Sequence, residues 1–470
     1  MISFSTLDII ILLSFFGALI IIGLIPGFRK KINDNEEYLL HGRKVGLILF
    51  ILTNVSTWYG GILGVGEFTY RHGLLSWLTQ GLPYYIFAII FAFLFAQKIR
   101  NASLYTIPDK LALVYGKGVG IITSILIFIL VSPAPYILMI GSLINLIFGF
   151  SLLWSLIIAT FLSSAYLIRG GYKSDLYTDV LQFFIMFIGF VVIVYFSFKE
   201  IGGINFLVES LPENHLSITG GSSPFYLIVW FLIALWTFAD PGFHQRCYAA
   251  KTGNTAKWGI IISVVFWILF DFLTTTTGLF ARAVLPELEN PVFAFPVYAE
   301  KVLGSGLKGI FYAALFATII STSNSFLFIS GTTFGKDLLL KSFDKKISDK
   351  KLVLYVKIGI ICSGIIAVIL SATIQSVINL WYLIGSFCIP GIILLIFGAY
   401  YEKFRVGNKV AFMEIITGSF TSIAWYFLRG YINSGYISII EPMIVGLFAA
   451  GIIHLIGLIL ESSSLNKSNY

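Results

Sequence analysis

Runs of about 20 consecutive apolar residues recur along almost the whole chain, and a run of that length crosses the hydrocarbon core of a bilayer as a helix. About thirteen can be counted, the first at Leu7–Pro26 and the last at Ile439–Leu460. No water reaches the backbone at that depth, so each segment must satisfy its own amides, and an uninterrupted helix does so. The expectation is an all-α polytopic membrane protein. Composition agrees: 58% of the 470 residues are hydrophobic and 11% are charged, against about 25% charged in soluble domains. The first run is too long for a signal-peptide core and has no basic leader, so it is read as a retained helix.

Charge supplies an independent test of the count. Cationic loops stay in the cytoplasm, and Lys and Arg gather on alternate loops. Arg29, Lys30, Lys31, Arg43 and Lys44 follow the first run. Arg246, Lys251 and Lys257 follow the seventh, and Lys336 to Lys351 follow the ninth. The opposite loops are poor in them. This alternation predicts an outside N-terminus and a cytoplasmic C-terminus. The +8 net charge is scattered rather than clustered, so nucleic acid is not expected as a partner. Cys247, Cys362 and Cys388 have neither metal-ligand spacing nor a disulfide framework. The phosphate-cradling GxxxxGK[ST] motif is absent. Val292–Val302 reads as a short surface helix on the outer side, and the stretch after Asn101 as a cytoplasmic one starting at Thr106.

One run does not read as a plain span. Within Val45–Gly73 the sequence turns polar, β-branched and then glycine-rich, Thr53-Asn54-Val55-Ser56-Thr57-Trp58-Tyr59-Gly60-Gly61. Such residues weaken a helix and free the backbone. Freed carbonyls in a membrane need partners, and at the end of a half-helix they suit a cation. The same small residues also serve close packing between helices, and from this stretch alone both readings stand.

Four stretches in order resemble the sodium:solute symporter family, over nearly the whole chain: Leu52-Thr53-Asn54-Val55-Ser56 with its glycines; Gly170-Gly171-Tyr172 leading to Tyr177-Thr178-Asp179-Val180-Leu181-Gln182; Gln245-Arg246-Cys247-Tyr248-Ala249-Ala250-Lys251; and Thr318-Ile319-Ile320-Ser321-Thr322. The resemblance implies a LeuT-type fold of two five-helix inverted repeats, about 45–198 and 226–400. One extra helix (7–26) would precede them and two accessory helices (410–460) would follow. The first helix of each repeat should be broken, and Thr237-Phe238-Ala239-Asp240-Pro241-Gly242 provides the second interruption.

The resemblance also implies Na+ as the coupling ion. Its ligands would be the carbonyls of Leu52, Val55 and Thr318 and the hydroxyls of Ser321 and Thr322. A hydroxyl pair can instead bond back to its own helix; the matching frame favours the site. Asp179 stands where relatives with a second sodium site place an aspartate, and an intramembrane charge is functional by default; a hydrogen-bonded aspartate near the interface is the other reading. Asp271 is a second deep carboxylate outside any family motif, either a proton or cation partner or satisfied by Thr274 to Thr277.

Matching pocket positions are Trp58, Tyr59, Gln80, Trp236 and Tyr382. Any one of these aromatics is also explained by packing. Ile233 and Pro83 stand where sugar-binding relatives have polar groups. Trp58 and Glu67 match choline-transporting relatives, but Asp240 replaces their second tryptophan. No Lys or Arg falls at mid-membrane in the two broken helices. The expected substrate is therefore a small neutral, zwitterionic or cationic metabolite, taken up across the plasma membrane by sodium-coupled symport. The alternatives are a proton-coupled or ion-independent carrier on the same fold, a channel, or a membrane sensor module. No nucleophile–base arrangement suggests an enzyme.

Overall fold

The computed structural model describes residues 3–29, 34–340, 348–431 and 440–468. Lys30, Lys31, Lys341, Lys345 and Lys346, counted above as loop charges, lie outside them. Among the described residues twelve helices are long and apolar enough to cross a membrane, and a bent pair makes up to thirteen. No strand occurs there beyond one isolated bridge, between Val45 and Ala250.

The bent pair is the glycine-rich run. A half-helix Leu47–Trp58 stops, and a second half Ile62–His72 leaves at 57°. The last carbonyls of the first half lose their intrahelical donors, and Thr57 O accepts from Thr322 Oγ1 at 2.6 Å instead. The close approach requires glycine: a methyl on Gly60 would lie 2.3 Å from Thr322 Cβ.

The second predicted interruption also forms. Helix Pro224–Ile233 tightens into a 3₁₀ segment Ala234–Ala239, Asp240 leaves helical geometry, and Pro241–Ala249 resumes. Pro241 sits at the first position of the new helix, where its missing N–H is harmless. Asp240 caps that helix by accepting from Phe243 N at 2.8 Å.

A third break was not expected. The run read as one span, Val119–Ile144, is two helices, Lys117–Leu130 and Ala134–Phe148, parted at Ser132-Pro133. Ser132 N takes the Ile129 carbonyl at 3.0 Å, which Pro133 cannot, and Ser371 Oγ bonds the Ala134 carbonyl at 2.8 Å at the start of the second helix.

The Leu307–Thr332 helix runs through the centre, almost entirely buried. It packs on the first half-helix, on Tyr172–Phe196 and on Thr6–Arg29. Both short surface helices are present, as Ala294–Val302 and as Ile107–Tyr115, the latter capped by Thr106 on Asp109 N at 3.2 Å.

The two breaks are tied together at the end of the molecule that carries the basic loops. Val45 N bonds Ala249 O at 3.2 Å, and Lys251 N bonds Val45 O at 2.8 Å. Arg43 adds bonds to Tyr248 O (3.1 Å), Ser103 O (3.0 Å) and Glu36 (2.8 Å). Arg100 bonds the Ala250 carbonyl. At the opposite end the His215 carbonyl accepts from Leu74 N at 2.8 Å.

A cysteine at exposed Ser348, in a background with Cys247, Cys362 and Cys388 replaced by serine, is expected to react with an impermeant maleimide only from the cytoplasm. One at exposed Glu213 is expected to react only from outside. The reverse pattern would invert the orientation drawn from the charges.

Candidate functional site

The seam between the first break and the central helix is polar in an otherwise apolar protein. Ser321 Oγ donates to Asp179 Oδ1 at 2.5 Å and lies 3.2 Å from both Ser56 Oγ and Thr57 Oγ1. Thr322 bonds the Thr57 carbonyl, as above. Asp179 also receives Thr57 Oγ1 at 3.3 Å. Val55, Ser56, Thr318, Ser321 and Asp179 are wholly buried, and Leu52 is half-buried. Each hydroxyl spends its proton on a protein acceptor, which leaves oxygen lone pairs for a cation. Thr318 instead turns its hydroxyl back to Ala314 O at 2.7 Å; only its carbonyl is left to serve.

Arg246 must be placed differently from the sequence reading, which counted it among loop cations and expected no basic residue at mid-membrane in the two broken helices. It lies within the second half of the Pro224–Ala249 span and is 3% exposed. One of its terminal nitrogens reaches Thr57 Oγ1 at 2.5 Å, Ser325 Oγ at 3.1 Å and Thr53 O at 3.4 Å, and stands 3.8 Å from Asp179 Oδ2. Ser325 in turn bonds Asp175 Oδ2 at 2.9 Å. A guanidinium cannot shed its charge, so in a water-poor interior it needs this carboxylate cover.

Asp175 and Ser325 were missed as members. Their spacing carries the signal: Asp175 precedes Asp179 by one helical turn, and Ser325 follows Ser321 by one. Arg246 is detectable as the single charge inside the short helix that follows a Pro-Gly break.

The aromatic positions part company. Trp58 stacks on Trp267, with centroids 4.6 Å apart and planes at 24°, and meets Tyr84 and Phe243 edge-on. Tyr59 turns away from the break, and its hydroxyl bonds Trp267 O at 2.7 Å. Gln80 is half-buried on a π-helical turn, Trp77–Gly81. Trp236 packs on the Val377–Tyr400 helix, where a methyl on Gly385 would come within 2.4 Å of its ring. Tyr382 faces the accessory helix, 6.2 Å from the Tyr426 ring and under Arg429. Its neighbour Trp381 reaches the first break: a methyl on Gly61 would lie 2.5 Å from the indole. Trp381 also stands 6.1 Å from Tyr136. Glu67 is paired with Arg71 at 3.0 Å.

Known proteins are similar to this chain over most of its length. The profile of the sodium:solute symporter family matches residues 38–418. The chain is 25% identical to the high-affinity choline transporter 1 of Caenorhabditis elegans, over 80% of this chain and 70% of that one. It is also 25% identical to an osmoregulated proline transporter of Bacillus subtilis, over 96% and 95% of the two chains. A Na+-coupled sialic acid symporter, solved substrate-bound and outward-open, superposes with a TM-score of 0.82 at 16% identity, over 97% and 98%; that likeness establishes the LeuT-type fold.

The chain belongs to the sodium:solute symporter family. It is a sodium-coupled symporter of small solutes, a multi-pass membrane protein with Na+ as its coupling ion.

Replacing Arg246 with Ala strands two buried carboxylates. The expected loss is about 3–5 kcal/mol, the range for breaking one side of a buried pair, read as a large fall in the unfolding temperature of the purified protein. Adding Asp179→Asn should restore much of it, because a neutral amide no longer needs the cation.

Proposed function

We propose that the chain imports a small neutral, zwitterionic or cationic metabolite across the plasma membrane by alternating access. Na+ would bind at the seam, held by the carbonyls of Leu52, Val55 and Thr318 and the hydroxyls of Ser321 and Thr322. Three neutral carbonyls and two hydroxyls make the oxygen-only set that a hard cation takes. Asp179 is one bond removed through Ser321, close enough to hold a second sodium or to relay the first ion's charge to Arg246. The two inverted repeats, 45–198 and 226–400, would move against each other about this seam. A bound ion favours the closed seam only by its difference in affinity between the two states.

The observation that carries the substrate reading is the inventory of charge around the two breaks. Arg246 is committed to Asp179 and, through Ser325, to Asp175. What faces the breaks otherwise is aromatic, Trp58 with Tyr84 and Trp381 with Tyr136, together with the Asp240 carboxylate, which stands near both tyrosines. Aromatic faces attract organic cations by about 0.5–2 kcal/mol, and a carboxylate adds a charge-assisted partner for an amine. The choline and proline transporters among its relatives handle a quaternary ammonium and a zwitterion, both within this class. Trp236 and Gln80 would border the same space, Trp236 as an inner gate. Tyr382, turned towards Arg429, would act on it through Trp381.

The test is uptake into proteoliposomes under a sodium gradient, comparing sugars, amino acids, quaternary amines and sugar acids. Sodium-dependent, saturable uptake of an amine-bearing solute is expected. Asp240→Asn should weaken that solute's apparent affinity by at least about tenfold, the equivalent of roughly 1.4 kcal/mol. High-affinity uptake of a sialic-acid-like anion would overturn the pocket reading.

A further inference from the structure

Asp271 lies midway along the Gly253–Val284 helix, 9% exposed, on the face of the first break away from the sodium seam. Three elements converge on its carboxylate. Tyr85, on the Leu82–Phe91 helix, donates to Oδ2. Tyr59, at the break itself, stands near the same group, its hydroxyl bonding Trp267 O at 2.7 Å, one turn earlier on the same helix. The π-helical turn Trp77–Gly81 supplies the third wall. A methyl on Gly81 would lie 3.0 Å from Asp271 Oδ2 and 2.8 Å from Tyr85 Oη, so glycine leaves the room that the acid and the tyrosine fill. Single π turns of this kind concentrate at functional sites.

The nearby threonines do not satisfy the carboxylate. Thr274 bonds the Asp271 backbone carbonyl at 3.2 Å, and Thr277 bonds Leu273 O at 2.7 Å. Nor does a cation. From the elements packed on this helix, Glu67 is turned to Arg71, and Tyr70 lies against Arg282. Asp175, Asp179 and Arg246 answer one another across the seam. Arg100 bonds Ala250 O at the basic end, and Glu300 holds Lys308 at the other. Tyr59 and Tyr85 alone face the acid among the described residues. Two phenolic oxygens and one carboxylate are too few for Na+, which wants several oxygen ligands. An unpaired carboxylate here would be costly, whereas one proton makes the group neutral.

We propose that Asp271, with Tyr85 and Tyr59, is an intramembrane proton-binding site, and that Tyr59 links its occupancy to the break whose other face binds Na+. One O–H bond forms when the proton arrives from water and breaks when it returns. With the acid neutral, Tyr59 is free to hold Trp267 O. With the acid ionised, the carboxylate competes for the Tyr59 hydroxyl and draws it from the helix it now braces.

The experiment is infrared difference spectroscopy on the full-length protein in lipid, with protons and Na+ as the only probes. An acid-minus-alkaline spectrum should contain the carbonyl stretch of a protonated carboxylic acid. It should vanish in Asp271→Asn, persist in Asp179→Asn, and shift in frequency in Tyr85→Phe, a variant that serves if Asp271→Asn does not fold. A sodium-minus-potassium spectrum at fixed pH should perturb the same band. A band absent from the wild type, retained in Asp271→Asn or unmoved in Tyr85→Phe would overturn the site. A band indifferent to Na+ would overturn its link to the break. Neither result depends on the identity of the solute.

Discussion

Arg246 carries a charge that it cannot lose into a part of the protein that water does not reach. Everything at the centre of the fold answers that charge. Asp179 and Asp175 bring two carboxylates from one helix; Ser321 and Ser325 position them from the central helix; Thr57 and the Thr53 carbonyl complete the set from the first break. The guanidinium thus belongs to the second broken span, and its partners come from the first break, the central helix and the Asp175–Asp179 helix. Moving either half-helix without the other exposes a buried ion, so the two breaks are bound to move together.

That coupling is useful to a sodium symporter. Ser321 is both a neighbour of the last turn of the first half-helix and a donor to Asp179, so an ion that engages its oxygen lone pairs touches the Arg246 network directly. At the basic end the same two broken spans are joined by backbone hydrogen bonds from Val45 to Ala249 and Lys251, buttressed by Arg43 and Arg100. Opening that end means breaking this short stretch of backbone pairing and uncovering Val45, Tyr248, Ala249 and Ala250, which are buried there. The backbone bonds in that stretch are few, each worth about 0.5–1.5 kcal/mol net, a scale matched to a step governed by ion binding.

Much of this was legible in the sequence because the bilayer allows so few solutions. The spans follow from apolar length, and both predicted breaks follow from residues that cannot continue a helix unaided, Gly60-Gly61 and Pro241-Gly242. Side-chain direction was harder to read. Trp381 and Tyr382 are adjacent, and about 100° of helical rotation decides which one meets Gly61; aromatic character alone does not distinguish them. Arg246 was taken for a loop charge because cations beside apolar runs usually are, and only the Asp175–Asp179 face, a helix and a half away in sequence, reveals why it is tolerated inside. The Ser132-Pro133 break did carry a signal, Pro133 and Pro135, but it sits inside a run long and apolar enough to pass for one span.

The central claim is that Na+ binds where Ser321 and Thr322 close on the first break. Sodium-dependent thermal stabilisation of the purified protein, with potassium as the control ion, reads this without a known solute. The wild type should unfold at progressively higher temperature as sodium replaces potassium, because an ion that binds only the folded state stabilises it by mass action. The double variant Ser321→Ala, Thr322→Ala should lose that response while remaining folded. An undiminished sodium response in the double variant would contradict the account.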